Sequence, residues 1–186
     1  MCDTAVIGYR AVAQEKLVVD ISRVFRSQYH AALRMMAQVI EACPDELWLD
    51  TAESSPFWRV AYHALFYVYL YLQPTEADFV PWAKHYHEVQ YLGKKDWREG
   101  LEGARPYTRQ EVLAYLAFCR EQVDAIVPQL DFYGESGFSW LPFSKLETQI
   151  YNIRHLQGHV GELAHRLDVI GIETGWIGRT ELEDGA

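Results

Sequence analysis

Residues 151 to 163 read Tyr-Asn-Ile-Arg-His-Leu-Gln-Gly-His-Val-Gly-Glu-Leu. His155 and His159 are four apart, so on a helix they share a face with Cβ atoms about 5–6 Å apart. Two imidazole nitrogens so placed can meet one divalent ion at about 2.0–2.1 Å from each. The same spacing also occurs on solvated helix faces that hold nothing, so the pair has two readings. Asn152 and Glu162 extend the stripe and offer an outer partner or a weak further ligand. His63 lies inside a strongly apolar stretch, with Val60, Phe66, Tyr67 and Leu70 at helical spacing around it. A buried imidazole needs partners for its nitrogens, and a metal, a tyrosine hydroxyl or a backbone carbonyl would each serve.

Other reactive residue types carry less. Gly134-Glu135-Ser136-Gly137 lacks both the spacing and the preceding strand of a nucleophile elbow. Cys119 sits among Tyr115, Phe118 and Val123 and reads as a small buried hydrophobe. Cys2, Cys43 and Cys119 are odd in number and form no C-x-x-C pair, so neither a disulfide framework nor a cysteine-rich zinc site is indicated. His85 and His87 are two apart and read as solvated, or as a substrate contact if the segment around them covers the ion. His30 and His165 have no supporting pattern. Trp58, Tyr62, Tyr67, Trp82 and Trp140 read as core residues, some of them at the mouth of the site.

Four long helices would position these residues. The first is predicted from Asp20 to Ala42, ended by Cys43-Pro44. The second opens with Ser55 as cap and Pro56 at its first position and runs to Gln73, before Pro74. Its interior is apolar almost all round, which marks it as the most enclosed element. Thr108 with Glu111 forms a capping box that starts the third helix, which runs towards Pro128. Ser144 with Glu147 repeats the pattern at the start of the fourth, which runs to Ile170 and is stopped by Gly171. The fold class is therefore all-α, a four-helix bundle with a long crossover between helices two and three. That crossover, Pro74 to Pro106, is long enough to make its flanking helices parallel, and a short helix is predicted over Pro81–Val89. Residues 1–175 read as one domain and 176–186 as a flexible acidic tail. Gly158 and Gly161 are read first as places where a neighbouring helix comes close and, as the alternative, as open space beside the ion.

Composition excludes several classes. Seventeen basic residues against 26 acidic ones give a net charge of −9, with a pI near 5.2. No basic cluster tracks a polyanion, so nucleic acid is not an expected partner. The most apolar stretch, Val60 to Leu72, is too short to span a bilayer, and the first residues lack a signal-peptide pattern. A cytoplasmic location and no membrane association are expected. Twelve tyrosines, eight phenylalanines and six tryptophans predict a core or pocket wall built from rings.

One histidine in an aromatic second helix, followed by Arg154-His-x-Gln-x-His-x-Gly-Glu-Leu163 in a late one, resembles the DinB-like (damage-inducible) family of metal-binding four-helix bundles. The resemblance covers roughly residues 20 to 170, including the long crossover. It implies that His63, His155 and His159 together hold one divalent metal ion, zinc or nickel. Gly158 departs from the family, whose members often carry a histidine there, but that histidine is not one of the implied ligands. The resemblance further implies a metal-dependent enzyme acting on a small molecule, by transfer of a low-molecular-weight thiol or by hydrolysis, and a homodimer. The alternative is a non-catalytic or stress-response protein with a structural or sensory ion. The residues themselves assign no catalytic group and no organic cofactor.

Overall fold

The computed structural model describes residues 19–50, 52, 55–93 and 105–182. Asp20 accepts a hydrogen bond from the Arg23 backbone N–H (3.0 Å) and so starts α1, Ile21–Ala42. A single turn, α2, Asp45–Trp48, follows Pro44. The apolar segment forms α3, Phe57–Leu72, and the Thr108–Glu111 capping box starts α4, Arg109–Ile126. Ser144 accepts from the Glu147 N–H to start α5, Lys145–Asp168, but no reciprocal bond completes a capping box there. Short 3₁₀ turns cover Glu76–Asp78 and Val127–Gln129. Among the described residues there is no strand, so the chain is an all-α bundle whose core lies between α1, α3, α4 and α5.

Side-chain pairings give the helix directions. Gln149 Nε2 donates to the Tyr71 carbonyl (2.9 Å), Asn152 Nδ2 to that of Val68 (3.1 Å) and Arg166 Nη1 to that of Ser55 (2.8 Å), so α5 runs antiparallel to α3. Trp58 packs on Tyr107, Tyr62 on Tyr115, and the Cys119 thiol reaches the Leu65 carbonyl, so α4 runs parallel to α3, as the long crossover implied. α1 lies between α4 and α5, diagonal to α3. Every residue of α3 is buried except His63 and Tyr67. The most enclosed helix therefore opens at one place only.

Several expectations are corrected. Ser55 does not cap α3; Pro56 occupies that position, and the Ser55 hydroxyl accepts from the Gly93 N–H instead. Residues 81–89 form turns, not a helix. Tertiary bonds replace the helical ones there: Tyr107 Oη donates to the Lys84 carbonyl (2.5 Å) and accepts from the Tyr86 N–H (3.2 Å). No atom of another helix lies within 4 Å of a Cβ built on Gly158 or Gly161, so these glycines face open space and not a neighbouring helix. Trp140 is 46% exposed, while Trp58 and Tyr62 are fully buried and Tyr67 and Trp82 partly so. Residues 172–182 run back along α1, where Ser27 Oγ donates to the Thr180 carbonyl and Gln28 to that of Gly178. Cys2 and residues 183–186 of the expected tail lie outside the described residues. No helix among the described residues is long and apolar enough to cross a membrane.

Lys145 ties α5 to the end of α3. Its buried ammonium donates to the carbonyls of Gln73 (2.9 Å) and Pro74 (2.8 Å), just past the C-terminal end of α3, and of Ser136 in the loop before α5. Burial draws its pKa down to about 8, so it is still charged at neutral pH. Gly137 sits in the same knot at φ +84°, where a Cβ would collide with the Pro74 carbonyl. Lys145→Met is expected to lower stability by about 3 kcal/mol, because buried acceptors lose their donor. Urea unfolding measures this, and a loss below about 1 kcal/mol would show that water satisfies those carbonyls.

Candidate metal centre

The α3–α5 register brings the three histidines together. Ring centroids are 5.0 Å apart for His63 and His155, 4.7 Å for His63 and His159, and 4.7 Å for His155 and His159. One nitrogen from each lies within 4.8 Å of the other two. The closest approach is His63 Nε2 to His155 Nε2, at 3.1 Å. A tetrahedral ion bound at about 2.05 Å needs ligand nitrogens roughly 3.3 Å apart. Small ring rotations close the remaining gap, so this cluster is capable of coordinating a divalent ion.

The outer nitrogens decide which lone pairs point inward. His63 Nδ1 lies 2.5 Å from the Gln90 carbonyl, which can only accept, so Nδ1 carries the proton and Nε2 is bare. His159 Nδ1 donates to the Glu162 carboxylate at 3.0 Å, which likewise frees its Nε2. Glu162 in turn accepts from Arg166 through its other oxygen (2.5 Å). This carboxylate–imidazole pairing is the usual outer arrangement of a metal-ligating histidine and raises the basicity of the ligating nitrogen. His155 differs, because its Nδ1 is buried without a hydrogen-bond partner among the described residues. Rings hold it instead: Tyr67 edge-on at 5.3 Å and Tyr151 stacked at 6.4 Å.

Burial keeps two of the imidazoles neutral. Desolvation pulls His63 down to about 4. Burial, then the neighbouring His63 and His159, pulls His155 down to about 3. A ligating histidine must be neutral, and at pH 7 these two already are. Tyr67, the other open residue of α3, lies 4.8 Å from the His63 ring, and burial pushes its phenol up to about 12. A cleft of about 490 Å³ is lined by Phe143, Ile150, Tyr151 and Arg154, and the Tyr151 ring also stacks on His155.

Compared with protein-family models, curated proteins and solved structures, the chain has no match in any of the three.

The remaining candidates separate cleanly. His85 is not solvated as expected; its Nδ1 bonds the Tyr62 hydroxyl at 2.7 Å and its ring stacks on Phe66, away from the triad. His87 and His165 are exposed. His30 is buried against Asp124 (2.9 Å). Asn152 bonds α3 and not a histidine. Ser136 is buried and donates to the Leu141 carbonyl (2.6 Å), and burial pushes the Cys119 thiol up, so neither is a nucleophile. The Gln90 carbonyl has no side-chain signature and escaped the sequence pattern. Tyr67 is already read from its helical spacing to His63, and Tyr151 at i−4 from His155 could have been read in the same way.

Without metal, the protein is expected to lose stability as pH falls from about 6.5 to about 4. In that window the unfolded chain protonates His63 and His155 while the fold holds them neutral, so the unfolded state binds more protons and gains ground. The slope is up to about 1.4 kcal/mol per pH unit for each group, and above about pH 7 neither contributes. Urea unfolding at about pH 7 and pH 5 tests this on wild type and on a His63→Gln/His155→Gln double variant. An equal pH effect in both proteins would show that the imidazoles are not desolvated.

Proposed function

We propose that the chain binds one divalent ion through Nε2 of His63, His155 and His159, and that it is a metal-dependent enzyme acting on a small molecule, most simply by thiol transfer. The observation that carries this reading is the convergence of three imidazoles at the one place where α3 is not fully buried. Three neutral ligands leave at least one coordination position for a substrate atom. A bound ion would supply the Lewis acidity that favours the ionised form of a thiol or water. Imidazole donors suit zinc and nickel alike. The reading agrees with the DinB-like resemblance of residues 154–163.

Glu162 favours thiol transfer over hydrolysis. Hydrolysis benefits from a carboxylate free to accept a proton, but both oxygens of Glu162 are taken, by His159 and Arg166. Its work is to hold the His159 proton on Nδ1. A thiol is already more acidic than water, and coordination would lower its pKa further, so its proton can leave to solvent without a dedicated carboxylate base. The Tyr67 and Tyr151 rings give the site an apolar wall that keeps water from one side of the cluster.

Mass-spectrometric metal analysis of protein purified without an affinity tag should find one equivalent of ion. His63→Ala should retain less than about a tenth of it, since two imidazoles chelate far more weakly than three. His85→Ala should match wild type. Full retention in His63→Ala would remove His63 from the ligand set.

Cobalt-loaded protein should develop a sulfur-to-cobalt charge-transfer band on adding 2-mercaptoethanol, and His155→Ala should not. Failure of several cellular thiols to produce the band would exclude thiol transfer and leave hydrolysis, or an ion that is structural or sensory.

A further inference from the structure

Arg59 is the single charged residue of α3 and lies one turn before His63. Its side chain has no exposure to solvent. Nε donates to the Val89 carbonyl at 3.1 Å, and the next carbonyl, that of Gln90, takes the His63 Nδ1 proton. Two residues one turn apart on α3 thus grip two consecutive peptides of the crossover. This fixes the guanidinium relative to His63, one turn further along the same helix. Yet Nη1 and Nη2 of Arg59 are buried and have no hydrogen-bond partner among the described residues.

Such a state is strongly unfavourable, because a buried charge with unused donors has lost its water and gained nothing for it. Glu162, the carboxylate whose charge acts on His63, has both oxygens engaged elsewhere. The Nη edge of a guanidinium matches the two oxygens of a carboxylate, bond for bond. The backbone that Nε grips, residues 88–93, belongs to neither helix nor strand, so a ligand reaches the guanidinium by displacing loop and not by parting two helices.

We infer that Arg59 is the anion-recognising half of this site, binding the carboxylate of a small molecule whose other end lies at the three-histidine cluster. The inference rests on the metal-centre reading above and names the substrate class for it: a small carboxylate-bearing molecule, with a thiol as the group that meets the ion. The Nε bond to Val89 orients the fork in advance, so little ordering is left for the ligand to impose.

The test uses the full chain loaded with cobalt and three thiols of similar length but different tail charge: 3-mercaptopropionate, 2-mercaptoethanol and cysteamine. The charge-transfer band reports binding of each. The anionic thiol should bind at least about ten-fold tighter than the neutral one, and the cationic one weakest. Arg59→Gln should keep its cobalt and its affinity for 2-mercaptoethanol but lose the preference. Arg59→Lys, which keeps the charge without the fork, should fall between them and serves if the Gln variant does not fold. Equal wild-type affinities, or an undiminished preference in the variants, overturn the inference. A second measurement separates it from the metal reading. In metal-free protein at constant ionic strength, acetate should raise the melting temperature of wild type but not of Arg59→Gln. Protein that takes up no cobalt refutes the metal centre, and the acetate measurement then decides Arg59 alone. No Arg59-dependent shift overturns the anion site, and a larger shift with inorganic phosphate overturns its assignment to carboxylate.

Discussion

The register between α3 and α5 is the constraint on which the rest depends. Three buried side chains of α5, Lys145, Gln149 and Asn152, donate to backbone carbonyls at or near the C-terminal end of α3. Each bond is directional, and each would leave a buried polar group unpaired if broken, so together they fix the axial position of one helix on the other. Apolar packing alone would fix it less firmly, because Val, Leu and Ala surfaces slide past one another at little cost in contact. A slip of one helical turn is about 5.4 Å. That exceeds the separation of any pair of rings in the histidine cluster, so the bonds that lock the helices also assemble the site.

Within that frame, burial and chemistry pull the same way at the cluster. Desolvation penalises charged imidazole, and a metal ligand must be uncharged, so the enclosure that would trouble an ordinary histidine prepares these. The three are not equivalent. His159 leans on a carboxylate, His63 on a carbonyl and His155 on aromatic rings alone. Electron donation to the ligating nitrogen should fall in that order, which makes His155 the weakest donor and the one most readily adjusted when a further ligand enters.

Much of this was legible in the sequence, for definable reasons. Helix ends marked by Asp20, Cys43-Pro44, the Thr108–Glu111 box and Ser144 appear within a residue or so of where the side chains predict them, because capping is local chemistry. The pair His155 and His159 was visible because helical spacing is rigid. What could not be read was tertiary. Residues 81–89 look helical in isolation, but Tyr107 draws off the Lys84 carbonyl and the Tyr86 N–H, and Tyr62 holds His85. The same residues then place the Gln90 carbonyl behind His63, which no side-chain pattern announces. Gly158 and Gly161 failed as packing signals because their side of α5 faces open space.

Two buried cations show how the bundle treats charge differently at its two ends. Lys145 spends its ammonium protons on three carbonyls, and its whole environment is supplied by this chain. Arg59 is given one carbonyl and, among the described residues, no partner for its other two nitrogens. Were Arg59 only a structural tie like Lys145, an apolar residue with a single donor would serve as well and avoid the cost of burying a charge. The difference lies in position: Lys145 closes the far end of α3, whereas Arg59 stands one turn from His63 in the helix that opens only there. An unfinished hydrogen-bonding shell beside a cluster with room for a further ligand is what a binding site requires, and a finished one at the opposite end is what a joint requires.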